Sequence, residues 1–305
     1  MRLSIVALIA LVVFSCGQQK QQTAAQETSS QEEISVVFDI QGHRGSRGLM
    51  PENTIPAFLE ALNYDKVTTL ELDLAVTKDR QLVVSHEPWF NHVICYDADG
   101  ELIDEEDRIA IYELTADQMN QYDCGSKGNP RFPQQTLMSV SKPLLKEVVD
   151  TVRYYVNNKK LRKPAYNIEI KTAPELDSLF TPHPEDFADL VVAFVKSEMA
   201  DMEVTIQSFD FRVLRYIHAK YPDMKLVALV ENTDGVAANL QSLGFIPDIY
   251  SPWYKLLSRQ SLDTIHQENM LIVPWTVNDT TNMRQLIDWG VDGIITDYPN
   301  LAQKL

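Results

Sequence analysis

Residues 41–54 read QGHRGSRGLMPENT, and they follow an apolar run, Ile34 to Ile40, that is typical of a buried strand. The strand ends in an ionisable pair, His43 and Arg44, and a Pro-Glu-Asn-Thr helix start comes soon after it. A buried strand usually ends in such a pair where the chain meets a ligand, so the stretch predicts a functional site here. We expect Glu52 to favour the helix N-terminus electrostatically rather than to enter the site.

This strand is the first of nine strand-like runs that alternate with helix-like stretches, and the alternation predicts parallel strands. Segment 36–305 is long enough for an α/β fold of the (β/α)₈ TIM-barrel type, which typically needs about 250 residues, and a doubly wound open sheet is the alternative. A barrel has eight places, so one run is wrong or lies outside the ring, and Leu82–His86 and Asp248–Ser251 fit a regular βα unit least well. The nine runs are Val36–Gly42, Thr69–Asp73, Leu82–His86, Tyr166–Lys171, Val204–Gln207, Lys225–Val230, Asp248–Ser251, Leu271–Val277 and Gly293–Thr296.

The N-terminus has the layout of an export signal, with one cation before an uncharged apolar stretch, 3–14, that is too short to span a bilayer. Val-Phe-Ser-Cys at 13–16 resembles a bacterial lipoprotein lipobox, which implies cleavage before Cys16 and lipid attachment to its sulfur. An ordinary signal cut elsewhere and a retained membrane anchor are the alternatives. We therefore expect an exported protein that is lipid-anchored to a bacterial membrane and faces the periplasm or the cell surface, and Gly17 favours the outer membrane.

The predicted domain layout follows from these boundaries. Residues 1–15 are the signal peptide, residues 16–35 are a flexible tether without apolar periodicity, and residues 36–305 are the barrel. Residues of about 88–135 break the alternation with Pro, Gly and many acids, and they predict an insertion after the third strand.

The number of cysteines and the net charge limit which cellular compartment and which binding partners are expected. If Cys16 carries lipid, Cys95 and Cys124 remain, and they either pair in an oxidising compartment or stay as buried thiols. The formal net charge of -16 argues against a broad nucleic-acid surface. It leaves a small phosphate-containing substrate open, because a metal or a few local cations can overcome the global field. No protein partner is evident.

Charged side chains recur near the ends of four successive strands. Side chains at i and i+2 of a strand point to the same face, so Glu71 projects with Asp73 and Glu169 projects with Lys171. Carboxylates inside a barrel are costly without partners, and the carboxyl ends of barrel strands form the catalytic face. Taken singly, each residue also fits a structural hydrogen bond or a salt bridge at the rim. Taken together, they predict an active site.

The chemistry of this set is that of phosphodiester cleavage. Glu71, Asp73 and Glu169 form an all-oxygen site, which favours Ca²⁺ or Mg²⁺ over Zn²⁺. Arg44 and Lys171 are suited to hold the remaining phosphate oxygens. His43 and His86 titrate near neutrality, so one can take a proton from the nucleophile while the other donates to the leaving alcohol.

Motifs along most of the chain resemble those of the glycerophosphodiester phosphodiesterase family, in the family's order. They are HRG at 43–45, PENT at 51–54, ELD at 71–73, TKD at 77–79, His86, NIEIK at 167–171, QSF at 207–209, WTVN at 275–278 and GVDGIITDYP at 290–299. The resemblance implies a phospholipase C-like TIM barrel that hydrolyses glycerophosphodiesters to sn-glycerol 3-phosphate and an alcohol. It implies the acid-base pair, the metal ligands and the phosphate contacts named above, and it places Trp275 on the glycerol side of the pocket.

One departure and two alternative functions accompany the resemblance. The family usually has His-Asp where this chain has His86-Glu87, which could change a contact to His86. A phospholipase C-like or D-like enzyme that cleaves intact lipids is one alternative, and Pro88-Trp89-Phe90 and Pro252-Trp253-Tyr254 would supply its aromatic rim. A binding lipoprotein that has lost catalysis is the other, but it should lack a histidine or a carboxylate, and none is missing.

Overall fold

A computed structural model describes residues 38–305. The predicted signal peptide, the predicted lipidation site at Cys16 and the predicted tether lie outside the described residues. Nine strands are present in residues 38–305, namely β1 Asp39–Gly42, β2 Val67–Val76, β3 Leu82–Val84, β4 Ala165–Ile170, β5 Val204–Ser208, β6 Lys225–Val230, β7 Ile249–Pro252, β8 Leu271–Ile272 and β9 Gly293–Thr296. Nine α-helices are present in the same residues, namely α1 Ile55–Ala61, α2 Ala116–Met119, α3 Leu145–Lys159, α4 Pro184–Glu198, α5 Phe211–Lys220, α6 Val236–Leu243, α7 Arg259–Gln267, α8 Thr280–Trp289 and α9 Pro299–Ala302.

Eight of the strands are parallel and follow the order β8-β7-β6-β5-β4-β2-β1-β9. Backbone hydrogen bonds also link the two ends of this order. The N–H of Asp292 donates to the carbonyl of Ile272, and the N–H of Ile295 donates to the carbonyl of Pro274, both at 2.9 Å. The sheet is therefore a nearly closed barrel. The barrel prediction is confirmed, and the alternative of an open sheet is wrong.

Strand β2 shows how the sequence divides inside from outside. Leu70, Leu72 and Leu74 belong to the large buried cluster that also contains α3 residues such as Val148 and Val152. Because strand side chains alternate between faces, the residues between these leucines, Glu71 and Asp73, point into the barrel. The apolar side chains of β2 thus pack against the surrounding helices, and its acidic side chains line the inside of the barrel.

Strand β3 is the one predicted run that lies outside the ring. It pairs with β2 in the antiparallel direction, with Leu74 opposite Val84, because the turn between Val76 and Leu82 is too short for a crossover helix. The equally doubtful run at 248–251 is a ring strand, β7. The hairpin of β2 and β3 returns the chain towards the barrel mouth, where His86 follows.

We call residues 88–143, between His86-Glu87 and α3, the excursion. The structure describes the whole excursion, and no ring strand falls in it. Its small core includes Phe90, Ile111 and Met119, which pack with Ala75 and Val83 of the hairpin. A disulfide joins two of its residues, Cys95 and Cys124, with their sulfur atoms 2.13 Å apart.

Among residues 38–305, none of the helices is long and apolar enough to cross a bilayer.

Candidate active site

A cavity of ≈ 320 Å³ opens at the carboxyl ends of the ring strands, and it contains most of the predicted site. His43, Arg44, Glu71, His86, Glu169, Lys171 and Trp275 all line it. The eighth predicted residue, Asp73, lies in the cluster with Glu71 and Glu169. The structure therefore brings all the predicted barrel-site residues together.

The three carboxylates meet because of strand register. Asp73 of β2 is paired with Glu169 of β4, and Glu71 lies two residues before Asp73 on the same face. One ligand atom from each of the three residues lies within 4.8 Å of the others, and all three side chains are buried. Such a group of oxygens fits a hard divalent cation.

Neighbouring donors fix the orientation of this acidic cluster. Gln207 Nε2 donates to Glu71 Oε1 at 2.7 Å, and the backbone N–H of Arg44 donates to Glu71 Oε2 at 2.8 Å. Asn53 Nδ2 donates to Asp73 Oδ2 at 2.8 Å. In contrast, Asp73 Oδ1 is buried and makes no hydrogen bond. A buried carboxylate oxygen without a hydrogen bond is available to bind a cation, so the residues present fit a metal ion.

The pKa values of the three carboxyls differ. Burial, together with the Asp73 carboxylate, raises the pKa of Glu71 well above its usual range. Burial raises the pKa of Glu169 to about 7. Burial also acts on Asp73, but Arg44 and other nearby cations outweigh it and hold its pKa well below the usual range. Without a cation, the cluster is therefore too crowded with negative charge to ionise fully.

We expect cation binding to release a proton and to strengthen with pH. In cation-free protein, ionisation of Glu169 costs stability as the pH rises from near its ordinary pKa of 4.5 through about 7. Below pH 7 a cation must displace this proton, so the affinity should be about tenfold weaker at pH 6 than at pH 8. Calcium titrations by calorimetry at both pH values measure this, and thermal unfolding without cation is the control. Equal affinities would contradict it.

Two cations lie beside the acidic cluster. Lys171 Nζ donates to Glu169 Oε1 at 3.0 Å, and it lies 3.6 Å from Asp73 Oδ1. Arg44 Nη1 donates to Glu52 Oε1 at 2.6 Å, and Arg44 Nε lies 3.3 Å from Asp73 Oδ2. The expectation for Glu52 is therefore wrong, because its carboxylate is buried against Arg44 and orients that guanidinium group. Helix α1 instead begins after Thr54, whose hydroxyl accepts from the N–H of Ala57.

His43 forms a dyad with a residue that sequence reasoning missed. Its Nδ1 lies 2.6 Å from Asp297 Oδ1, and Asp297 is positioned in turn by Asn278, whose Nδ2 donates to Asp297 Oδ2 at 2.7 Å. Burial lowers the pKa of His43 to about 4, although Asp297 opposes the shift. An available signal was that Asp297 directly follows the last strand.

His86 has its own carboxylate partner. Its Nδ1 lies 2.9 Å from Glu87 Oε1, so the Glu that replaces the family's usual Asp still contacts the ring. Burial, Arg44 and Lys171 lower the pKa of His86. Burial acts to raise the pKa of Glu87, but the hydrogen bond with His86 outweighs it and brings that pKa far below its usual range. Each histidine thus presents Nδ1 to a carboxylate, which leaves Nε2 for chemistry.

Aromatic side chains also line the cavity. Trp275 Nε1 donates to the carbonyl of Ser251 at 2.9 Å, which fixes the indole. The ring of Phe209 packs edge-on against Trp275, with their centroids 5.3 Å apart. The cavity therefore offers apolar surface next to its charged groups, and Lys171 Nζ lies 5.8 Å from the centroid of the Phe209 ring.

Comparisons with known proteins agree with this geometry. The model of the glycerophosphoryl diester phosphodiesterase family matches residues 43–301. The chain is 28% identical over 281 residues to a glycerophosphodiester phosphodiesterase of Bacillus subtilis, covering 86% of this chain and 84% of that protein.

Solved structures share the fold. A Silicibacter pomeroyi protein that carries the family's name has a TM-score of 0.77 and 26% identity, over 88% of this chain and 93% of that one. An Oleispira antarctica phosphodiesterase, solved with its product sn-glycerol-3-phosphate, has a TM-score of 0.67 and 20% identity, over 87% of this chain and 94% of that one.

The barrel and its site define the class, which is a phosphodiesterase built on a (β/α)₈ barrel. The chain belongs to the glycerophosphoryl diester phosphodiesterase family, and the prediction that it is an enzyme is confirmed.

Proposed function

We propose that this enzyme hydrolyses glycerophosphodiesters to sn-glycerol 3-phosphate and an alcohol, with a divalent cation and an acid-base pair of histidines. The observation that carries the proposal is the convergence of three buried carboxylates in one cavity lined by both histidines. Each histidine is held at Nδ1 by its own carboxylate. The product bound to the Oleispira antarctica relative also supports this choice of substrate.

Glu71, Asp73 and Glu169 would hold the cation, and their hard oxygen atoms favour Ca²⁺ or Mg²⁺. The bound cation would supply positive charge against the phosphoryl oxygens of the substrate. Arg44 and Lys171, which already pair with the cluster, would hold the other phosphate oxygens. Together these residues orient the phosphodiester between the histidines.

We assign the general base to His43. A pKa of about 4 keeps its ring neutral at pH 7, and Asp297 beside Nδ1 favours the tautomer with Nε2 free to accept a proton. His86 then donates a proton to the leaving alcohol, and the Glu87 carboxylate supports the charged form of its ring. Trp275 and Phe209 offer an apolar surface to the glycerol carbons.

A coupled assay for glycerol 3-phosphate tests the proposal. Purified protein should release glycerol 3-phosphate from glycerophosphodiesters such as glycerophosphoglycerol, and exhaustive chelation should abolish the release until Ca²⁺ or Mg²⁺ is restored. A lysophospholipid and an intact phospholipid serve as competing substrates. Turnover of the lipids without turnover of any glycerophosphodiester would reject the proposal in favour of a lipid-cleaving enzyme. No turnover of any substrate would favour a binding protein.

We also propose that the enzyme is lipid-anchored through Cys16 to a bacterial membrane. The lipobox-like sequence before Cys16 supports this. Labelled palmitate should enter the full-length protein but not the Cys16→Ser variant, and equal labelling of the two would reject the anchor.

A further inference from the structure

Arg131 carries a guanidinium group that lines the cavity and that the proposed mechanism does not use. This side chain is exposed, and it comes from the excursion rather than from a loop that directly follows a ring strand. The other cations that line the cavity each pair with a carboxylate: Arg44 with Asp73, Arg47 with Asp297, and Lys171 with Glu169. Among residues 38–305, Arg131 has no such partner within 4.0 Å.

The position of Arg131 is set by an aromatic ring. The guanidinium carbon of Arg131 lies 5.7 Å from the ring centroid of Phe132, and that of Arg47 lies 4.6 Å from it. Phe132 is buried, and its ring centroid is 6.3 Å from that of Tyr298, which follows β9. The excursion is thus attached to the barrel mouth at this ring, and it holds a second guanidinium near Arg47.

Two neighbouring guanidinium groups repel each other. Burial and Arg44 lower the pKa of Arg47, and Arg131 adds to this effect. The Asp297 carboxylate offsets the positive charge of Arg47, whereas no carboxylate among residues 38–305 pairs with Arg131. An anion at the mouth would remove the repulsion, since it would lie close to both cations.

The composition of the proposed substrate determines which of its groups can meet Arg131. In a glycerophosphodiester, the phosphate is held at the acidic cluster and its neighbouring cations, and the glycerol carries no charge. Arg131 lines the same cavity beside Arg47, since both guanidinium groups lie near the ring of Phe132. A second anionic group that reaches Arg131 can therefore only be carried by the alcohol that will be released.

We infer that Arg131 is a specificity residue that binds a second anionic group, carried by the head-group alcohol. This inference rests on the proposed function. The favoured substrates are glycerophosphodiesters whose alcohol bears a phosphate or a carboxylate, and a cationic head group such as choline is disfavoured because it places its ammonium near an unpaired guanidinium. The net charge of -16 means that the protein as a whole repels a polyanionic substrate, and a local cation such as Arg131 would offset this repulsion at the cavity.

Three substrates test the inference: glycerophosphoglycerol with a neutral alcohol, its phosphorylated form with an anionic alcohol, and glycerophosphocholine with a cationic one. In Arg131→Gln, the ratio of kcat/KM for the anionic over the neutral substrate should fall about tenfold, or about 1.4 kcal/mol. Arg131→Lys should keep most of the preference. Arg108→Gln is the matched control, because Arg108 is an exposed cation of the same excursion that stacks on Trp89 outside the cavity.

The outcomes separate the two proposals. If the wild-type enzyme cleaves all three substrates and Arg131→Gln leaves their ratios unchanged, the role of Arg131 is wrong while the proposed function stands. If the wild-type enzyme cleaves none of them, the proposed function fails. A preference that shrinks in high salt for the wild-type enzyme but not for Arg131→Gln would support the inference, because an exposed charge pair is screened by ions.

Discussion

Asp73→Asn is expected to lower kcat/KM for glycerophosphodiesters by about 10³-fold or more, since the charge stabilisation supplied by a bound cation amounts to several kcal/mol. Asp73 is the member of the acidic cluster whose pKa is held low, so it carries the negative charge that attracts a cation. The neutral amide also leaves Arg44 and Lys171 with one carboxylate fewer. Release of glycerol 3-phosphate at increasing Ca²⁺ measures the loss, and part of it should be recovered at high cation concentration.

The matched control for this variant is Asp65→Asn. Asp65 is an exposed acid just before β2, and its replacement should leave activity and cation affinity near the wild-type values. Because Asp73 is buried, the thermal unfolding of the variant must be measured as well, and Glu169→Gln offers a second test at the neighbouring ligand. Wild-type turnover and wild-type cation affinity in both folded variants would remove the acidic cluster from the mechanism.

His43→Gln should reduce kcat by about 10³-fold, within the range that a positioned general base contributes. Glutamine keeps a side chain of similar reach but cannot take up a proton, so substrate binding should change much less than kcat. Asp297→Asn should have a smaller effect, about 10²-fold, because the ring remains but loses the carboxylate that holds Nδ1. Steady-state kinetics across pH 5 to 9 separate the two variants.

His218→Gln is the control for the histidine series, because His218 is exposed on α5 and stacks on Phe245. It should behave as the wild-type enzyme does. A wild-type kcat in His43→Gln would show that His43 has only a structural role and that another group in the cavity is the general base. An effect of Asp297→Asn on substrate binding alone would show that Asp297 does not act through the ring.

The parts of the site that the sequence predicted are those that follow from local periodicity. Glu71 and Asp73 share a face because they are two residues apart on one strand, and the apolar residues between and around them place that face inside. Barrel topology then brings β4 beside β2, so Glu169 joins them without any further information. The fold could be predicted in the same way, because alternating strands and helices admit few topologies.

The parts that were missed depend on contacts between distant residues. Glu52 reads as an ordinary helix-start acid, and only the folded chain shows its carboxylate against Arg44. Asp297 meets His43 because β9 pairs with β1, which separates the partners by 254 positions in sequence. Whether β3 or β7 left the ring was likewise undecided, since both runs are short and only the pairing partner distinguishes them.

The division of labour between the ring and the excursion has an evolutionary consequence. The ring and its direct loops supply the acidic cluster and the His43–Asp297 dyad, whereas Arg131 belongs to a segment that has its own disulfide and a small core shared with the hairpin of β2 and β3. Substitutions at exposed positions of this segment can therefore accumulate with little effect on the chemistry, whereas its buried Gln135 donates to the carbonyl of Arg47 and is tied to the site. Enzymes that descend from one ancestral barrel can in this way come to differ in substrate preference while their chemistry stays the same.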